Sequence, residues 1–253
     1  MQTPHASYLT TLVAGHFVEH RSNWDGVPLV ATVRPELGEH LEATFAPTGQ
    51  VLDFLGQLTG VRYPYPKYAQ ACVDNFPFGG MENISATTLT ETCVRDASGR
   101  RDADATGLIV HEAAHQWFGD LLTCADWSHI WLNESFATYC TQLYIEATRG
   151  RDEFLVAVRD MQESYLGADY GEQRRPHVWN VYREPMDLFF GGQAYPGGAS
   201  RLHLLRFVLG DAAFFRGVRR YVADNAGRSV VTDDFRAALE KYFGRPYPYE
   251  KLD

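Results

Sequence analysis

The segment His111-Glu112-Ala113-Ala114-His115, followed after eighteen intervening residues by Glu134, constrains this chain more than any other feature. Histidines four positions apart on a helix project from one face about one turn from each other. That is near enough to share a tetrahedral metal ion at ~2.0–2.1 Å from each ring nitrogen. Apolar residues recur at helical spacing over 108–118, so the pair is expected on a helix that ends around Gly119. A second helical pattern opens after Trp131, and eighteen residues suffice to turn the chain back and lay that helix beside the first. Glu134 then completes a His, His, Glu set with one coordination position left for water, the open arrangement of catalytic rather than structural zinc. Two imidazoles and one carboxylate suit zinc better than magnesium or calcium. Glu112 stands one step round the helix, too far off the shared face to be a third ligand but within reach of the water.

The rest of the chain sorts into two halves. Strands are expected at 8–13, 30–33 and 71–74, punctuated by Gly, Pro and Asn, with one helix at 47–58 where Val51, Leu52, Leu55 and Leu58 share a face. Beyond Arg101 helical spacing dominates, over 108–118, 135–148, 153–164, 199–208, 212–224 and 233–242. Gly150 reads as a C-terminal cap, Thr232 as an N-cap oxygen, and the Gly/Pro-rich stretch 191–198 as a loop. Strands first and helices afterwards is an α+β order, without alternating βα units or an internal repeat. We expect one domain over 1–253, with a strand-rich lobe at about 1–105 and a helical zinc-binding lobe at about 106–253.

Composition narrows the function classes. An apolar content of 45% in 253 residues, 13% aromatic, is ample for a packed core. Twenty-three basic against thirty-two acidic side chains, net −9, argue against nucleic acid or an anionic membrane as partner. No run approaches the roughly eighteen uninterrupted apolar residues of a membrane span; the stretch at 202–209 carries His203 and Arg206. The first twelve residues lack the basic start and apolar run of a secretion signal. Cys72, Cys93, Cys124 and Cys140 form no C-x-x-C pair, so they read as free thiols, and a cytoplasmic setting is expected.

Four further motifs agree with the histidine pair: Gly79-Gly80-Met81-Glu82-Asn83, Gln116-Trp117-Phe118-Gly119-Asp120, Trp131-Leu132-Asn133-Glu134 and Phe136-Ala137. Together they make the chain resemble the M1 aminopeptidases, a family that includes leukotriene A4 hydrolase. The resemblance runs from Ser7-Tyr8 through Tyr195 into the last helices and implies a thermolysin-like (gluzincin) catalytic domain. It implies one zinc ion on His111, His115 and Glu134, and substrates that are peptides with a free N-terminus. Glu112 would act as general base and acid on a metal-activated water, and Tyr195 would donate to the oxyanion. Residues Gly79, Gly80, Met81, Glu82 and Asn83 would line the substrate, the glycines admitting its backbone and Glu82 pairing with its α-ammonium. The chain departs from the family at Gly197, usually a basic residue, and at Ser135, where many relatives have glycine.

Family members usually place this domain between an N-terminal β-domain and a C-terminal helical one. Apolar surface where those would sit is expected to favour docking or self-association. Two other readings fit the same residues: another zinc hydrolase, epoxide-opening or endopeptidase, and a catalytically silent zinc-binding module. The runs Tyr63-Pro64-Tyr65-Pro66 and Arg245-Pro246-Tyr247-Pro248-Tyr249 read as packing around turns. His129, His177 and His203 lack ligand spacing, and Tyr8 and Tyr170 belong to no motif.

Overall fold

In the computed structural model, which describes residues 4–171 and 174–243, the first lobe is built on a five-stranded sheet. Strands β1 (Val18–Trp24) and β2 (Val27–Val33) pair antiparallel across Asp25 and Gly26, whose φ values of 45° and 82° are those a two-residue hairpin turn needs. Val27, Leu29, Ala31 and Val33 alternate inward along β2. A short 3-10 turn, then α1 (Leu41–Phe45) and α2 (Thr48–Thr59), cross over to β3 (Tyr68–Val73), which lies parallel to β2. This is a single βαβ crossover within the expected α+β order, not an alternating series. Val51, Leu52 and Leu55 are fully buried on the inner face of α2, and that burial returns the chain beside β2. Strand β5 (Ala86–Thr90) runs parallel to β3, and the short β4 (Gly80–Met81) pairs antiparallel with β5 at the edge, in the order β1-β2-β3-β5-β4.

The strand expected at 8–13 is absent. Ser7–Leu9 is one 3-10 turn, and Leu9 enters the core while its carbonyl accepts a single backbone bond from the Ile84 N–H (3.2 Å). Its apolar residues are spent on packing rather than on a ladder.

The second half is helical as expected, with shifted ends. After α3 (Ala97–Asp102), α4 (Thr106–His115) stops three residues short of Phe118, where Gln116 and Trp117 turn their N–H groups to carbonyls three residues back. The chain then enters β6 (Leu122–Cys124). Helix α5 (Trp131–Arg149) packs along α4 and is separated from α6 (Arg151–Ala168) by Gly150, at φ 93°, in the capping role expected of it. Residues Gln193–Gly197, expected as loop, form a π-helical turn that runs into α7 (Gly198–Leu209). Then come α8 (Asp211–Asn225), β7 (Arg228–Val230) and α9 (Thr232–Phe243), with β7 parallel to β6. Thr232 was expected to cap α9. Its Oγ1 instead accepts from Trp131 Nε1 (2.9 Å), while the Asp234 carboxylate accepts from the Val231 N–H (2.8 Å).

One buried cluster joins the lobes, from Leu52 and Tyr68 through Val110, Trp117 and Phe136 to Tyr221 and Leu239. Trp117 Nε1 donates to the Val61 carbonyl (2.7 Å), and Tyr63 and Tyr65 are buried against each other edge to face. The run at 245–249 lies outside the described residues. All four cysteines are free and buried, and adjacency of β3 and β5 brings the Cys72 and Cys93 sulfurs to 4.0 Å. Among the described residues no helix is long and apolar enough to cross a membrane.

Candidate active site

Three donor atoms from two neighbouring helices converge. His111 and His115 project from α4, and Glu134 comes from the first turn of α5. The two Nε2 atoms are 3.2 Å apart, and Glu134 Oε2 lies 3.3 Å from that of His111 and 3.2 Å from that of His115. A tetrahedron with ~2.0 Å metal–ligand bonds has edges of about 3.3 Å, so an ion of zinc's size fits against this face. His115 Nδ1 donates to the Phe118 carbonyl (2.9 Å), which leaves the Nε2 lone pair for a metal. The early end of α4 serves this bond, because it turns the Phe118 carbonyl back under the ring.

Burial and charge act in opposite directions on the surrounding acids. Burial disfavours the Glu134 carboxylate, but His115 and His111 outweigh it and hold the group down at about 2. Glu112 is pushed up to about 8, chiefly by burial, with His115 opposing and Glu82 and Glu134 adding to the rise. Its Oε2 is buried and meets no hydrogen-bond donor among the described residues, which leaves that oxygen free to accept one. Asp120 is raised well above the ordinary carboxylate range by burial and by Glu82, and both its oxygens are likewise without a donor.

The glycine pair also serves packing between the lobes. A Cβ on Gly80 would lie 2.2 Å from Glu112 Oε1, and one on Gly79 would lie 3.3 Å from Leu108 Cδ1. The missing side chains therefore let β4 rest directly on α4, with Gly80 giving room to the Glu112 carboxylate. Glu82 follows β4 and is buried, and its carboxylate shares a 4.8 Å neighbourhood with donor atoms of Glu112 and His115. Asn83 Oδ1 accepts from Thr88 Oγ1 (2.7 Å), so this side chain braces β5, and Met81 is half-buried beside it.

Tyr8, which belongs to no motif, reaches the same place. Its hydroxyl accepts from Asn133 Nδ2 (3.1 Å) and favours the charged form of the neighbouring Glu82 carboxyl against the effect of burial, and its ring meets Trp127 edge to face at 4.9 Å. Tyr195 sits on the π-helical turn with its ring nearly parallel to that of His111, 6.1 Å away at 23°. Its phenol faces Glu134, and burial with the carboxylates of Glu134, Glu82 and Glu112 keeps it protonated. His129, His177 and His203 are each hydrogen-bonded elsewhere, to Thr232, Arg201 and Tyr139.

Sequence reasoning brought the three ligands, Glu112, Glu82 and Tyr195 to one cleft, and the structure places them there. It missed Tyr8 and Asp120. Asp120 stood inside a recognised motif as an acid in an apolar setting, a signal that could have been used.

A helix-borne histidine pair, a carboxylate from the next helix and an intervening buried glutamate form the arrangement of a mononuclear metallopeptidase centre. Residues 44–253 match the peptidase family M1 domain, and the chain belongs to that family. It is 34% identical to aminopeptidase N of Streptomyces lividans over 95% of its own length and 29% of that protein. It is 31% identical to aminopeptidase M1 of Arabidopsis thaliana, over 95% of this chain and 28% of that one. Probable aminopeptidase 2 of Sulfurisphaera tokodaii is also 31% identical, over 97% and 32%. The chain thus spans under a third of the length of these relatives.

Proposed function

We propose that this chain is the zinc-dependent catalytic domain of an aminopeptidase, of thermolysin-like (gluzincin) architecture, cleaving the first bond of peptides with a free N-terminus. One observation carries the reading: a buried carboxylate, Glu82, faces the space beside the His111, His115 and Glu134 donors. Cleft residues come from both lobes, which supports a single domain.

Zinc held by these three residues would supply Lewis acidity toward the scissile carbonyl and toward water. Glu82 pairs with the substrate's α-ammonium and, lying so near the ligands, leaves room for one residue before the reacting bond. Glu112 takes a proton from the attacking water on its free oxygen and passes it to the departing amine. Tyr195, kept protonated, donates its O–H to the carbonyl oxygen as negative charge develops.

Zinc analysis together with hydrolysis of free and N-acetylated aminoacyl-p-nitroanilides tests this. One zinc per chain and turnover of the free-amine set alone is the expected result. Cleavage of blocked peptides would move the site to an endopeptidase, opening of a lipid epoxide to another hydrolase, and zinc without turnover to a silent module. Tyr8→Phe is expected to raise KM for free-amine substrates about three- to tenfold by removing the hydroxyl that favours the charged form of Glu82, with kcat nearly unchanged. An unchanged KM would show that Tyr8 does not orient Glu82.

A further inference from the structure

We propose that Ser135 positions Tyr195, by tying the turn that carries the phenol to the helix that carries the third ligand. This rests on the reading of Tyr195 as the oxyanion donor.

Ser135 follows Glu134 on α5 and is fully buried. Its hydroxyl donates to the Ala194 carbonyl at 2.6 Å, the peptide group that immediately precedes Tyr195. The turn needs such a tie. A regular α-turn would close with the Gly198 N–H on Ala194, but in the π-helical geometry that N–H goes to the carbonyls of Gln193 and Tyr195. Other bonds hold the flanks: Gln193 Nε2 to Asp169 (3.1 Å), Ser200 Oγ to the Pro196 carbonyl (2.7 Å) and Arg201 Nη1 to the Gly197 carbonyl (3.2 Å). Ser135 holds the middle.

The backbones are in close contact at this point. A Cβ on Gly198 would lie 1.9 Å from Ser135 Oγ and 2.7 Å from Ser135 Cβ. Glycine at 198 thus lets the start of α7 come down onto α5, and the serine uses that approach to reach Ala194. Consecutive residues of α5 then meet the tyrosine twice, Glu134 beside its phenol and Ser135 on its backbone. Because Glu134 is also a ligand, the phenol is registered to the metal position through one rigid helix. A donor displaced by even about 1 Å from a developing charge loses much of its effect.

The test is a double-mutant cycle with Ser135→Ala and Tyr195→Phe in the zinc-loaded full chain. Zinc content, kcat and KM are measured, together with calorimetric binding of a free-amine phosphinic dipeptide, which mimics the tetrahedral state, and of the product amino acid. Ser135→Ala only removes an oxygen, and its melting temperature checks folding. Zinc content is expected to be unchanged. Both kcat and phosphinic affinity should fall about five- to tenfold, the scale of one buried hydrogen bond, while KM and product affinity hold. In the Tyr195→Phe background the same change should have no further effect. A full-sized loss in that background, or none in the wild type, overturns the proposal. If Tyr195→Phe alone alters neither kcat nor phosphinic affinity, the reading of Tyr195 falls instead, and the inference with it.

Discussion

Glu112→Gln is expected to lower kcat on free aminoacyl-p-nitroanilides by about 10²–10⁴-fold, the range for loss of a general base, while zinc content stays at one per chain. The amide fills the same buried volume beside Gly80 but has no carboxylate to accept a proton. Retained activity would remove Glu112 from the reaction. The substitution also has a signature in stability. In the metal-free protein Glu112 holds its proton up to about pH 8, whereas the unfolded chain releases it near its ordinary 4.5. Between those values the folded state binds more protons, so its stability falls as pH rises. His115, raised above its ordinary value by Glu134 and other acids despite burial, acts in the same direction, and Glu134, held down at about 2, matters only below this window. Thermal midpoints of metal-free wild type at pH 5 and 8 should therefore differ more than those of Glu112→Gln, and equal differences would contradict the assignment.

Gly80→Ala should be nearly as damaging without touching a charged group. The new Cβ would fall 2.2 Å from Oε1, 2.4 Å from Cδ and 2.7 Å from Cγ of Glu112. Strand β4 has little freedom to withdraw, since Gly80 pairs with Leu89 and the Thr90 N–H bonds the Gly79 carbonyl at 2.9 Å. The carboxylate must leave its position, at a cost of roughly 10²-fold in kcat for a displacement of about 1 Å. Overpacking should lower stability by about 1–3 kcal/mol. Gly79→Ala is the control, because its Cβ would meet only the end of Leu108 at 3.3 Å. Equal losses for the two variants would mean that β4 fails as a whole rather than through Glu112.

What could be read from the chain was whatever local spacing encodes. The four-residue step from His111 to His115 and the short path to Glu134 are properties of one helix and its neighbour, so they survive translation into three dimensions. Glu82 and Tyr195 needed the resemblance of whole motifs. The contacts that escaped reading join distant segments: Tyr8 with Asn133, Ser135 with Ala194, Glu112 with Gly80. The three-residue strands β6 and β7 are too short for an alternating pattern, and the parallel pairing of β2 with β3 depends on the α2 crossover rather than on either strand. At 8–13 a strand-like composition was misleading because Leu9 and Tyr8 are recruited to different surfaces, one to the core and one to the cleft.

The distances along the chain also set an order of assembly. His111 and Glu134 are 23 positions apart and ride on adjoining helices, whereas the Tyr8–Asn133 bond closes 125 positions and the Ser135–Ala194 bond 59. Closing a longer loop costs more chain entropy before any contact repays it. On refolding, uptake of the ion should therefore run ahead of recovery of amine recognition. A chain caught midway would hold its metal without yet being able to tell the end of a peptide from its middle.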